Sequence, residues 1–192
     1  MALRSDLKLV LASQSPSRKM LLENAGLTFE VFVSGVDEEV PADYTPAQTV
    51  ETLAARKGEA VFREHPDCTV IAADSVAAID GLILGKPADD AAARAMLRRL
   101  SGRTHQIYTG VCLLSGEKKE VFHQATQVTF YDLTDEEIAE YVARGESRGR
   151  AGSYGIEGLG VTLVRTITGD YSNIVGLPVA ETIRRLIRLT AQ

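Results

Sequence analysis

The chain has 192 residues, room for one large domain or two small lobes and enough to bury a sizeable core. Hydrophobic residues at 45% and charged residues at 24% exclude a disordered, collagen-like or mucin-like chain. With 21 Lys and Arg against 26 Asp and Glu, the net charge of -5 gives no global pull toward duplex nucleic acid or anionic membrane, so any phosphate must be held locally.

In chain order, Leu7 to Ala12 predicts a buried strand and Pro16 to Ala25 a helix closed by Gly26. Phe29 to Val33 follows as a second strand. Thr45-Pro46-Ala47-Gln48 is a capping box with proline at the first helical position, and its helix should run to about Glu64, before Pro66. Thr69 to Ile79 is an apolar strand, Asp80-Gly81 a hairpin turn and Leu82 to Leu84 the return. Asp89 to Leu100 predicts a helix, and His105 to Leu114 with Glu120 to Tyr131 a long antiparallel pair around Ser115-Gly116-Glu117. Thr134-Asp135-Glu136-Glu137 opens a helix to about Arg144. Gly145 to Gly160 has no period, Val161 to Ile167 predicts a strand, and Pro178 to Leu189 a final helix. The alternation implies one α/β domain over residues 1–192, with a mixed sheet folded as two lobes around a cleft.

Met1 to Lys8 is too charged for a signal-peptide core, and no run approaches the roughly 18 apolar residues of a membrane span. Cys68 and Cys112 sit in separate apolar stretches without a CxxC or Cys/His cluster, which indicates neither a disulfide framework nor a zinc site. A reducing, cytoplasmic setting is the expectation. With zero Trp and 6% aromatic residues the chain has neither stacking platform nor basic groove for a nucleic-acid polymer.

Five places invite chemistry. In Ser13-Gln14-Ser15-Pro16-Ser17-Arg18-Lys19 a strand gives way to a helix that Ser15 caps, and its free N–H groups form an anion site. Arg18 and Lys19 occupy the first turn, where the helix dipole disfavours cations, so an anion there would remove a conflict. Lys57 falls on the apolar stripe of its helix with Val50, Leu53 and Val61, either snorkelling out to water or lining a cleft. Lys86, between Gly85 and Pro87, is a phosphate ligand or a surface lysine. Asp74 interrupts a run fit for complete burial, where a carboxylate is costly unless paired, metal-bound or at an open strand end. Asp37-Glu38-Glu39 offers hard oxygen ligands of the kind magnesium or manganese prefers. No phosphate-loop or dinucleotide fingerprint is present, and His65, His105 and His123 are dispersed, which argues against covalent catalysis.

The ordered motifs Leu11-Ala12-Ser13-Gln14-Ser15-Pro16-Ser17-Arg18, Val36-Asp37-Glu38, Lys57, Ala73-Asp74-Ser75, Gly85-Lys86-Pro87, Ser101-Gly102-Arg103-Thr104-His105 and Ala151-Gly152-Ser153-Tyr154-Gly155-Ile156-Glu157-Gly158, then Gly169-Asp170-Tyr171 and Val175-Gly176-Leu177-Pro178, resemble the Maf, or septum-formation-inhibitor-like, nucleoside triphosphate pyrophosphatases. The resemblance covers nearly the whole chain. It implies an elongated curved mixed sheet related to the inosine triphosphate pyrophosphatases, a homodimer, and hydrolysis of a nucleoside triphosphate to monophosphate and pyrophosphate with magnesium, manganese or cobalt. It makes Asp74 the catalytic residue, which takes the proton of, or orients, the attacking water. Glu38 and Asp74 become metal ligands, and Ser13, Ser15, Arg18, Lys57 and Lys86 become substrate-binding residues.

At three specificity positions the chain departs from the branch acting on dTTP and UTP: Ser17 replaces arginine, Ser75 threonine and Glu157 glutamine. The glutamate resembles the branch acting on 7-methyl-GTP. A carboxylate can accept from both N1–H and N2–H of guanine, so the sequence leans toward guanine-type or N7-modified triphosphates and a house-cleaning role, unless Glu157 is paired with a nearby arginine. The rival reading is a non-catalytic nucleotide-binding regulator of cell division.

Overall fold

The structure, a computed structural model, describes residues 7–191. Met1–Asp6, most of the segment expected to be too charged for a signal peptide, lie outside the described residues, as does Gln192. The elements are β1 (Leu9–Leu11), α1 (Pro16–Asn24), β2 (Glu30–Val31), α2 (Pro46–Glu64), β3 (Thr69–Ile79), β4 (Leu82–Leu84), α3 (Asp90–Leu100), β5 (Thr104–Ser115), β6 (Lys118–Phe130) and α4 (Asp135–Ala143). After two 3-10 turns, Ala151–Ser153 and Leu159–Leu163, come β7 (Val164–Thr168), α5 (Tyr171–Val175) and α6 (Val179–Thr190). The strands form a mixed seven-stranded sheet in the order β2-β1-β3-β5-β6-β7, with β4 paired to β3 off this path. Strand β1 runs parallel to β2 and β3, whereas β4 and β7 are antiparallel to β3 and β6. The expected α/β class with a mixed sheet is what forms.

By its internal contacts the chain divides into two compact units. The first takes residues up to Asp74, Thr109–Gln124 and everything from Gly176; the second takes Ser75–Tyr108 and Ala125–Val175. In the first unit the two-residue period of the strands sorts side chains onto two faces. Leu9, Leu11, Ile71, Ala73, Val111 and Leu113 pack with Leu22 of α1 and Leu186 of α6, while Val10, Ala12, Val70, Ala72, Cys112 and Leu114 pack with Ala54 and Val61 of α2. Helices on both faces explain why β3 reads as a nearly unbroken apolar run rather than an alternating one. Helix α2 lies tight on the sheet: a Cβ on Gly110 of β5 would come 2.3 Å from the Val50 carbonyl oxygen. Cys68 and Cys112, both in this unit, are free thiols.

The second unit holds the β3–β4 hairpin, whose turn residues Asp80 and Gly81 take φ of 52° and 74°, the paired positive values of a tight hairpin turn. Two differences from the sequence reading lie here. Residues 159–163 coil into a 3-10 turn, so β7 begins at Val164 rather than Val161, and the Leu163 carbonyl accepts a bond of 3.0 Å from the Tyr131 amide. The five-residue helix α5 is too short to show a period. No helix among the described residues is long and apolar enough to cross a membrane.

His105 gives this unit an acid-sensitive point. It is 1% exposed, its Nε2 lies 2.8 Å from the Tyr154 hydroxyl, and its ring meets Phe130 and Tyr154 edge to face. Burial holds its pKa down at about 4 against an ordinary 6.5. Between those values the unfolded chain binds a proton that the folded chain refuses, so stability falls as pH drops from 6.5 to 4 and levels off below. The contribution is about 3 kcal/mol over the window. We expect the melting temperature of the wild type to fall across this range more steeply than that of His105→Gln; parallel curves would remove His105 as the cause.

Candidate active site

The first unit gathers seven of the residues singled out in the sequence. Beyond β1 the chain turns through Ser13, whose Oγ accepts from the Ser15 amide at 3.2 Å. Ser15 caps α1 by accepting from the Arg18 amide at 3.4 Å, with Pro16 opening the helix and no acidic residue in its first turn. The Arg18 side chain folds back. Its Nε donates to the Gly176 carbonyl at 2.8 Å and its Nη1 to Ser13 Oγ at 3.1 Å. Gly176 has φ of 133°, and a Cβ there would already touch Arg18 Nε at 3.4 Å, so glycine suits both the backbone turn and the guanidinium. Burial lowers the Arg18 pKa, while the charges of Asp74 and Glu38 act in the opposite direction.

Lys57 does not snorkel to water. Its side chain is 14% exposed, and its Nζ stands 2.6 Å from Asp74 Oδ1 and 2.7 Å from Glu38 Oε1. Asp74, at 12% side-chain exposure on β3, is thereby paired, which answers the cost of a carboxylate in that apolar run. Glu38 comes from the irregular segment after β2 and remains half exposed. Helix α2, strand β3 and that segment thus place one ammonium between two carboxylates.

Ser17 is half-buried in the first turn of α1. Ser75 follows Asp74 on β3, and the pleat turns it to the opposite face. Ser75, Lys86 and Glu157 belong to the second unit. Lys86 is exposed in the loop after β4, whose Gly85 carbonyl accepts from the Gly152 amide at 3.2 Å. In Glu157 the Oε1 accepts from Arg150 Nη1 at 2.8 Å. The Arg150 guanidinium lies over Gly155, where a Cβ would meet it at 2.5 Å. Of the two readings of Glu157, the ion pair with a nearby arginine is the one that forms, with Arg150 as the partner. Arg150 and Gly176 were not marked as partners from sequence, Arg150 because it sits in an aperiodic charged stretch.

A model of the Maf-like protein family matches residues 8–189. The chain belongs to that family. The dTTP/UTP pyrophosphatase of Bacillus cytotoxicus is 50% identical over 93% of this chain and 94% of its own length. Proteins of the same name from Bacillus mycoides and Bacillus pumilus are 49% and 48% identical over 93% of this chain, and 94% and 95% of theirs. Among solved structures, the Staphylococcus aureus Ham1 protein is 20% identical, covering 65% of this chain and 72% of that one at a TM-score of 0.43.

The donors of this Maf-like chain fit a divalent cation that keeps several of its own waters. Among the described residues no three His, Cys, Asp or Glu side chains gather to hold a metal. Asp74 and Glu38, converging on the same lysine nitrogen, offer hard oxygens but far fewer than six ligands. Magnesium suits such a pair, since it keeps several waters and takes one or two carboxylates together with substrate phosphates.

Proposed function

We propose that this chain hydrolyses a nucleoside triphosphate to the nucleoside monophosphate and pyrophosphate. The observation that carries the reading is Lys57 Nζ held between Asp74 and Glu38 in the same unit as the α1 start and Arg18. A protein that only binds triphosphate needs cations; two carboxylates set against one of those cations serve chemistry instead, which disfavours a purely regulatory binder. Arg18, Lys57 and the positive end of the α1 dipole neutralise phosphate oxygens, most strongly where charge grows in the transition state. Asp74 takes the proton of the attacking water or orients it toward the α-phosphorus. Asp74 and Glu38 would hold a divalent cation, which when present supplies Lewis acidity at the phosphoryl group and makes water a better nucleophile. Ser13 and Ser15 shape the α1 end of the site.

For the base, the dTTP/UTP pyrophosphatase name shared by relatives at 48 to 50% identity supports a pyrimidine triphosphate. The lean toward guanine or 7-methyl-GTP rested on a Glu157 carboxylate seeking two donors. With Arg150 at 2.8 Å that carboxylate already has a charged donor, and the lean has no support.

The test is a panel of dTTP, UTP, GTP and 7-methyl-GTP incubated with the purified chain and magnesium, manganese or cobalt, with pyrophosphate and orthophosphate measured separately. Pyrophosphate and the monophosphate should appear, fastest from dTTP or UTP, and excess chelator should stop the reaction. Orthophosphate and a diphosphate as first products would overturn the cleavage position. Turnover unchanged in chelator would remove the metal.

A further inference from the structure

We infer that Arg56 is a positioning residue that sets Glu38 against Lys57 and Asp74; the inference rests on the role proposed above for Glu38. Arg56 and Lys57 are neighbours on α2, and both engage the same irregular segment. Arg56 Nη1 donates to the Glu39 carbonyl at 2.5 Å and reaches the Asp37 carbonyl at 3.5 Å, so it holds the backbone on either side of Glu38. Lys57 then receives the Glu38 carboxylate itself at 2.7 Å. An Asp37 side chain accepting from the Glu39 amide at 3.0 Å keeps the three residues in one tight bend.

Packing does not do this work. Beside the Arg56 bond the segment stands off α2 across a cavity of about 660 Å³, lined by Val36 and Pro41 on one side and Glu59 and Arg63 on the other. Residues 37–39 are exposed or partly so, and apart from the two-residue strand β2 no regular secondary structure supports the chain between α1 and α2. A segment so placed has little buried apolar surface to order it, and its local opening should cost little free energy. The guanidinium, with several donors in a rigid plane, is suited to bridging two carbonyls that flank one side chain. Arg56 itself touches neither carboxylate in this arrangement; it acts on chemistry only through where Glu38 sits.

The experiment is a double-mutant cycle on kcat and KM for the triphosphate hydrolysed best, using Arg56→Met, Arg56→Lys, Glu38→Gln and the Arg56→Met/Glu38→Gln pair. Arg56→Met should lower kcat about tenfold, in line with the sensitivity of catalysis to small misplacements. Arg56→Lys, which keeps one donor for the Glu39 carbonyl, should recover most of that loss. In the Glu38→Gln background the Arg56→Met change should add almost nothing, because the side chain it positions has already lost its charge. Amide hydrogen exchange should show residues 37–40 opening faster in Arg56→Met while α2 stays protected, a readout independent of turnover. A tenfold loss from Arg56→Met in both backgrounds would overturn the positioning role and leave Glu38 in the site. Wild-type turnover in Glu38→Gln would instead overturn the role of Glu38, and this inference with it. Unaltered exchange at 37–40 in a variant with lowered kcat would likewise exclude action through the segment.

Discussion

Asp74→Asn keeps its fold and loses at least about 100-fold in kcat, the range expected when a general base or metal ligand disappears. The amide is nearly isosteric, and its oxygen still accepts from Lys57, which lies 2.6 Å from the carboxylate in the wild type. What vanishes is the negative charge. An amide cannot take a proton from water at neutral pH, and it is a poor ligand for a hard cation compared with a carboxylate. Because a charge facing the phosphates has been removed, KM for the triphosphate should stay level or fall. That split separates loss of chemistry from loss of binding. The checks are steady-state kinetics with a melting curve, which should shift by only a few degrees; near-normal kcat would take Asp74 out of the reaction.

Gly110→Ala destabilises the protein by about 3 kcal/mol or more, at the upper end for overpacking a core. The new methyl carbon would lie 2.3 Å from the Val50 carbonyl oxygen, 2.4 Å from its carbon and 2.7 Å from the Glu51 amide nitrogen. All three are backbone atoms of α2, so no side-chain rotation relieves the clash, and the helix itself must move. For a chain of this size the melting temperature should drop by roughly 6 to 12 °C. Gly58→Ala on the same helix is the control. Its Cβ meets only side-chain atoms, Cys112 Sγ at 3.1 Å, Leu114 Cδ1 at 3.2 Å and Ala72 Cβ at 3.3 Å, and the loss should be near 1 kcal/mol. Since α2 carries Lys57, Gly110→Ala should also lower activity at temperatures where it remains folded. Equal melting temperatures for Gly110→Ala and wild type would refute the close seating of α2.

Sequence and structure agree best where the deciding interactions are local. The limits of α2 match the expectation because Thr45 and Gln48 cap each other's backbone, Pro46 presets the first turn and Pro66 follows the end. Strand β3 and its hairpin match as well, since an unbroken apolar run and an Asp-Gly turn need no distant partner to be recognised. Residues 145–163 show the opposite. Their conformation is held by long-range bonds, such as Glu146 accepting from the Leu159 and Gly160 amides at 3.0 and 3.3 Å and Tyr141 from the Gly155 amide at 3.2 Å. No periodicity announces such contacts.

The site divides in the same way. By itself the sequence marked Asp74 as a carboxylate that its strand cannot bury alone, Lys57 as a cation on an inward face, and Ser15 as the cap of an anion-binding helix end, because burial cost, helical period and capping are properties of short segments. Only the tertiary structure decided which charges meet. It joined Lys57 to both Asp74 and Glu38, folded Arg18 back onto Gly176, and gave Glu157 to Arg150 rather than leaving it for a base. Pairing energies depend on distance and on exclusion of water, and both are set by how separate elements pack.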